Sequence, residues 1–71
     1  MSDGVVKMVE QSDGSYTSEC GMVMTREDGE RPNGSRFYYS WVLRDRDGTY
    51  LGDRRYRHDM EAPFKIELIH R

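Results

Sequence analysis

"FYYSWVLRDRDGTYLGDRRYRHD", residues 37 to 59, decides the architecture. In its first part the odd positions Phe37, Tyr39, Trp41 and Leu43 are all large and apolar, while the even positions Tyr38, Ser40, Val42 and Arg44 are mixed. A period of two with one apolar face is the pattern of a half-buried strand, so this segment is the candidate central strand. The pair Asp47-Gly48 then supplies a turn, because glycine enters the left-handed conformation without steric cost. With Arg46 and Asp47 right-handed and Gly48 left-handed, the loop is a type I turn with a G1 bulge, and Asp45 faces Thr49. Continued along the hairpin, that register sets Leu43 opposite Leu51 and Tyr38 opposite Tyr56, matching apolar partners.

The same "DRDG" invites a metal reading. If Gly48 is the glycine of a calcium loop, the first ligand position falls on Leu43 and the last, which requires a bidentate carboxylate, on Arg54. The match fails at both ends, and the turn reading stands.

Outward from this hairpin, Asp13-Gly14, Asp28-Gly29 and Asn33-Gly34 repeat the turn chemistry and predict a meander. "FKIELIHR" alternates again, with Phe64, Ile66 and Leu68 on one face and Lys65, Glu67 and Ile69 on the other, as a strand begun at Pro63. "SYTSECGMVMT" alternates more weakly and places Tyr16, Ser18, Cys20, Met22 and Met24 together; "GVVKMVEQ" is a shorter strand. The best helix candidate is "DRRYRHDMEA", residues 53 to 62, with Asp53 as N-cap and Tyr56 and Met60 on one side. The polar run "REDGERPNGS", residues 26 to 35, reads as an exposed loop.

With 71 residues, of which 35% are hydrophobic and 11% aromatic, the chain is expected to form one small domain, residues 1 to 71, around a few large side chains. The expected fold is mostly β: a small antiparallel sheet of four to five strands, a meander or partly open barrel, with one short helix. Its core is expected at Phe37, Tyr39, Trp41, Leu43, Leu51, Phe64, Ile66 and Leu68, with Met8, Met22, Met24 and Met60 filling gaps. Unpaired strand edges in so small a sheet open the way to a homodimer through an edge strand, or to strand addition to a partner.

The single cysteine, Cys20, excludes an intramolecular disulfide framework and multi-cysteine zinc sites, and reads as a small buried hydrophobe. No apolar run is long enough for a membrane span or signal peptide, so a cytoplasmic location without a membrane partner is expected. Asn33-Gly34-Ser35 matches a glycosylation acceptor that has no meaning without secretion. Catalytic signals are equally thin. His58-Asp59 would need further histidines and carboxylates to hold a metal, and the chain has only His70 besides. Ser18 or Cys20 with His58 or His70 lacks the nucleophile-elbow surroundings, and no glycine-rich phosphate loop precedes a helix. The expectation is a non-enzyme with no catalytic residues, no metal and no cofactor.

Charge is uneven. The chain carries net −2, but residues 1 to 35 hold seven acids and three bases, and residues 36 to 71 hold eight bases and six acids. Of its eleven basic residues only Lys7 and Lys65 are lysine, and arginine with tyrosine is the composition of interfaces. The favoured function is therefore a non-catalytic protein-binding module, an inhibitor or regulator that occupies a surface of a larger protein or complex. Small phage accessory proteins share this size, an analogy only. Arg54, Arg55, Tyr56 and Arg57 are the expected partner-binding residues, with the acidic Glu27, Asp28 and Glu30 as a second surface. The alternative is an RNA or single-stranded-DNA binder using Tyr38, Arg44, Arg46, Tyr50, Arg54 and Tyr56.

Overall fold

Four five-residue reversals of one design generate the sheet in the computed structural model, which describes residues 4–70. In Gln11–Ser15, Ser18–Met22, Arg31–Ser35 and Asp45–Thr49 the fourth residue is a glycine with φ between +86° and +96°. Its N–H donates to the carbonyl of the first residue at 2.9–3.1 Å, and the first residue's N–H donates to the carbonyl of the fifth at 2.7–3.0 Å. This is the type I turn with a G1 bulge, whose left-handed residue suits glycine best. The turns expected at Asp13-Gly14, Asn33-Gly34 and Asp47-Gly48 form, and Cys20-Gly21 supplies the fourth. Asp28-Gly29 does not turn; it lies inside a strand.

The elements run β1 (Val6–Glu10), β2 (Tyr16–Thr17), β3 (Val23–Glu30), β4 (Arg36–Arg44), β5 (Tyr50–Arg54), a 3-10 turn (Arg57–Met60), α1 (Glu61–Phe64) and β6 (Ile66–Ile69). The six strands form one sheet in the order β5-β4-β3-β2-β1-β6, curled into a half-barrel. The meander from β1 to β5 is antiparallel throughout. β6 is not, because the segment after β5 crosses from one edge of the sheet to the other and delivers β6 parallel to β1, from Val6 beside Ile66 to Val9 beside Ile69. The sheet is thus small and mostly antiparallel as expected, with six strands and one parallel pair.

Met8, Tyr16, Met24, Trp41, Leu43, Met60, Ile66 and Leu68 pack into the core on the inner face, with Val6, Met22 and Phe64 against it. The crossover closes over this face. Met60 is fully buried, and the Phe64 ring lies so close over Gly52 that a Cβ there would meet it at 2.1 Å. Gly52 is the seat of the helix. Lys65, left-handed at φ 52°, then turns the chain into β6, and the Glu61 carboxylate accepts the Leu68 N–H at 3.1 Å.

Two expected core residues are on the surface: Tyr39 is 67% exposed and Leu51 42%. Each is displaced by a slip in register. Between the pairs Glu27–Ser40 and Gly29–Phe37, β3 has one residue and β4 two, and Tyr39 takes φ 52° with its N–H on Asp28 Oδ1 at 2.5 Å. Alternation restarts beyond this bulge, so Trp41 and Leu43 face inward while Phe37 stacks on Tyr50 outside the core cluster. A second slip pairs Leu43 with Gly52 and Arg44 with Tyr50, leaving Leu51 without the partner expected for it. The Tyr38–Tyr56 pair does not form either, since β5 ends at Arg54.

Four further expectations are corrected. Asp53 is not a helix N-cap; it is a buried β5 residue, and the helical segment begins at Arg57. Pro63 lies within α1 rather than at the start of a strand. Cys20 is exposed, because Gly21 makes it the tip of a turn rather than a strand residue. Residues 26 to 30 complete β3, so the loop expected over 26 to 35 shrinks to the turn at 31 to 35, although Arg26, Asp28 and Glu30 do remain exposed.

Candidate functional site

The bulge that expels Tyr39 also borders a groove on the inner face. Trp41 is partnered across the ladder by Arg26, so both project from the same face of the sheet. The Arg26 guanidinium lies 4.4 Å from the centre of the Tyr39 ring and 5.4 Å from that of Trp41. Held between two π faces, the cation is fixed in place without a carboxylate. The segment Arg55–His58, which leaves β5 for the crossover, forms the opposite wall. The result is a groove of about 330 Å³, a volume at the lower end for small-ligand sites. Among the described residues its lining holds three arginines, a histidine, two tyrosines and a tryptophan, and no carboxylate.

A second, shallower groove of about 650 Å³ lies on the reverse face, lined among others by Arg36, Tyr38, Arg54 and Arg55. Its floor is a polar network. Arg31 donates from Nε and Nη2 to the two oxygens of Asp53 at 2.8 and 2.9 Å, and the Tyr50 hydroxyl donates to the same carboxylate. The two Arg31 hydrogen bonds hold the Asp53 carboxyl below the usual carboxylate range despite its burial, with Tyr50 reinforcing the effect. Burial and the neighbouring carboxylate push the Tyr50 phenol up. Phe37, roofed by Arg31 and stacked on Tyr50, completes the network, and its ring covers Gly29 where a Cβ would stand 2.6 Å away.

The residues expected to bind a partner separate accordingly. Arg55, Tyr56 and Arg57 come together in the inner groove; Arg54, paired with Trp41, sets its guanidinium 5.3 Å from the Phe64 ring centre at the crossover, outside that groove. The acidic trio lies along β3, with Asp28 and Glu30 exposed and Glu27 half-buried. Glu27 accepts from Thr25 at 2.5 Å and from Arg44 at 3.1 Å, which lower its carboxyl, and the Asp28 carboxylate is taken up by the Tyr39 N–H. Glu30 stands exposed at the end of β3. Of the residues expected to hold nucleic acid, Arg44 is engaged with Glu27, and Arg46 lies in the distant Asp45–Thr49 turn. Tyr50 is occupied by Phe37 and Asp53. Tyr38 and Tyr56 are 61% and 62% exposed, the Tyr38 ring with the Arg36 guanidinium 5.8 Å from its centre.

Sequence reasoning missed Arg26, Arg36, Tyr39 and Trp41 as groove residues. Alternation assigned Tyr39 and Trp41 to the core, and nothing in the local sequence marks a bulge that brings Arg26 beneath them. Ser18 and Cys20 share a turn, with the hydroxyl and thiol 3.1 Å apart, while His70 contacts Tyr16 at 3.1 Å and Glu10 at 3.8 Å. His58 belongs to the inner groove. Among the described residues no three His, Cys, Asp or Glu side chains gather as a metal-binding group, and no helix is long and apolar enough to cross a membrane. No family model matches the chain, and no curated protein or solved structure matches it either.

Proposed function

We propose that this chain is a non-catalytic binding module that occupies an anionic surface of a larger macromolecule through the arginine and tyrosine end of its sheet. The observation that carries the reading is the inner groove, where Arg26, Arg55 and Arg57 meet exposed Tyr39 and Tyr56 with no carboxylate in the lining. Among the described residues none of these three arginines is ion-paired, in contrast to Arg31 and Arg44, whose carboxylate partners hold the fold together. An arginine without a partner carboxylate keeps its donors and charge for a ligand. Tyrosine, tryptophan and arginine are also the side chains that dominate binding energy at interfaces. The net charge of −2 makes the attraction local, so it orients a partner toward this end rather than drawing one to any surface.

The test compares salt elution from a polyanion column for the wild type, for Arg26, Arg55, Arg57→Ala, and for a control, Lys7, Arg46, Lys65→Ala, that removes the same charge elsewhere. The groove variant is expected to elute at clearly lower salt than the control, with both retaining the wild-type melting profile. Equal elution of the two variants would remove this end as the binding surface.

A further inference from the structure

We infer that the anionic partner is a single strand of nucleic acid, laid along a path that passes from one face of the sheet to the other around the end of β5. The inference rests on the binding reading above and narrows it to one class of partner.

The path follows from how the two grooves join. Arg55 lines both, standing where β5 has ended and the crossover begins. On the inner side it is followed by Tyr56 and Arg57, with Tyr39 and Arg26 across the groove. On the reverse side come Tyr38 and Arg36. Among the described residues the only carboxylate lining either groove is Asp53, already bound by Arg31 and Tyr50. The next hollow beyond Arg26 is lined by Asp13, so the carboxylate-free stretch stops there.

Adjacent strand residues reach opposite grooves, and the bulge keeps the inner one of the two out of the core. Tyr39 is left-handed, so Tyr38 lines the reverse groove and Tyr39 the inner one, instead of one ring pointing into the core. A non-glycine residue in that conformation is strained, and such residues concentrate at functional sites. All three of the highly exposed tyrosines among the described residues, Tyr38, Tyr39 and Tyr56, lie on this path. Exposed rings offer faces on which bases of any identity stack, while unpaired arginines between them follow the phosphates.

The shape of the path separates the candidate polyanions. A duplex, stiff over about 150 base pairs, cannot turn around the rim of an 8.4 kDa domain, and a folded acidic protein meets one face at a time. A flexible strand can follow both grooves. A disordered acidic peptide could follow them too, but it has no planar groups to lay on three tyrosines. Dependence on the rings therefore distinguishes the two.

The experiment is fluorescence anisotropy with end-labelled oligothymidylate and oligouridylate of about 15 nucleotides, the matching duplex, and an oligoglutamate of similar length, with quenching of Trp41 as a second readout. The expected result is tighter binding of the single strands than of duplex or peptide, with log affinity falling against log salt at a slope of about −3. Tyr39→Ala and Tyr56→Ala should each weaken single-strand binding roughly tenfold at unchanged slope, and Tyr39→Phe should restore it. Arg55→Ala should flatten the slope by about 0.7. Melting curves confirm that the variants fold, as expected for exposed rings. Oligoglutamate or duplex binding as tightly as the single strands, with no loss in the tyrosine variants, would overturn the nucleic-acid inference and leave the binding module standing. No binding to any of these polyanions at low salt would overturn both.

Discussion

On the inner face of β4, Trp41 and Leu43 are buried among Met8, Tyr16, Met24, Met60, Ile66 and Leu68. On the reverse face of the same region, Val42 lies opposite Asp53, and the covering is made by Phe37, Tyr50, Arg31 and the Arg44–Glu27 pair. The inner face is held by removal of apolar area from water, which is non-directional and tolerates exchange of side chains of similar volume. The reverse face is held by hydrogen bonds and ion pairs that require particular atoms in particular places and depend on protonation. So small a domain cannot cover both faces with hydrophobic residues, and it uses charge-assisted contacts for the second.

The sharpest way to break this comparison is from the inside. Leu43→Ala should destabilise the protein by about 2–5 kcal/mol in urea denaturation, because the core around a fully buried leucine collapses only partly into the space. A loss under about 1 kcal/mol would mean that the inner face is not the main source of stability. Next in size is Gly52→Ala, which pushes a methyl group into the Phe64 ring and should cost about 1–3 kcal/mol. Because the conflict is with one ring, the double variant Gly52→Ala, Phe64→Leu should recover part of that loss; strict additivity would show that the crossover does not rest on β5.

The reverse face responds to pH instead. Asp53→Asn should cost about 1–2 kcal/mol at neutral pH, since a neutral amide at this position cannot form the charged pair with Arg31. The Asp53 carboxyl is lowered by Arg31 in the folded protein. Its contribution is therefore fully present above the unfolded value of about 4 and is lost as pH falls through the folded value. Thermal melts of wild type and variant should converge in acid, and a gap that stays constant from neutral pH downward would contradict the pairing. The Leu43→Ala loss should show no such convergence. Smallest of all, Leu51→Ala should change stability by less than about 0.5 kcal/mol, as expected of an exposed side chain. A loss like that of Leu43→Ala would restore the uninterrupted register in which the two leucines face each other.

Several features were legible because their causes are local. A glycine after aspartate or asparagine announced three of the four reversals, and the apolar alternation of residues 64 to 69 announced β6. Cys20-Gly21 escaped because cysteine is not a turn-forming partner, yet the turn needs only the glycine in the left-handed position. Asp28-Gly29 has the turn chemistry and still runs straight: the Phe37 ring packs over Gly29 and the Asp28 carboxylate is taken by Tyr39. Of the inner groove, Arg55, Tyr56 and Arg57 could be singled out as a cluster in sequence. Arg26 and Tyr39, which complete the groove, could not, because what joins them to it is strand pairing across a bulge.

The sequence by itself determined that the chain is a small β protein, that its strands are separated by glycine-bearing turns, and that its bases are arginines set among tyrosines. These properties depend on neighbours within a few positions, where backbone preferences and period-two patterning act directly. The tertiary structure alone decided the two register slips, the passage of β6 to the far edge, and the fate of each charged residue. A register slip moves every later side chain to a different environment, and whether an arginine meets a carboxylate depends on strands that are distant in sequence. Among the described residues Arg31 is a strut and Arg55 has no ion-pair partner, because Asp53 faces the one and no carboxylate lines the inner groove beside the other.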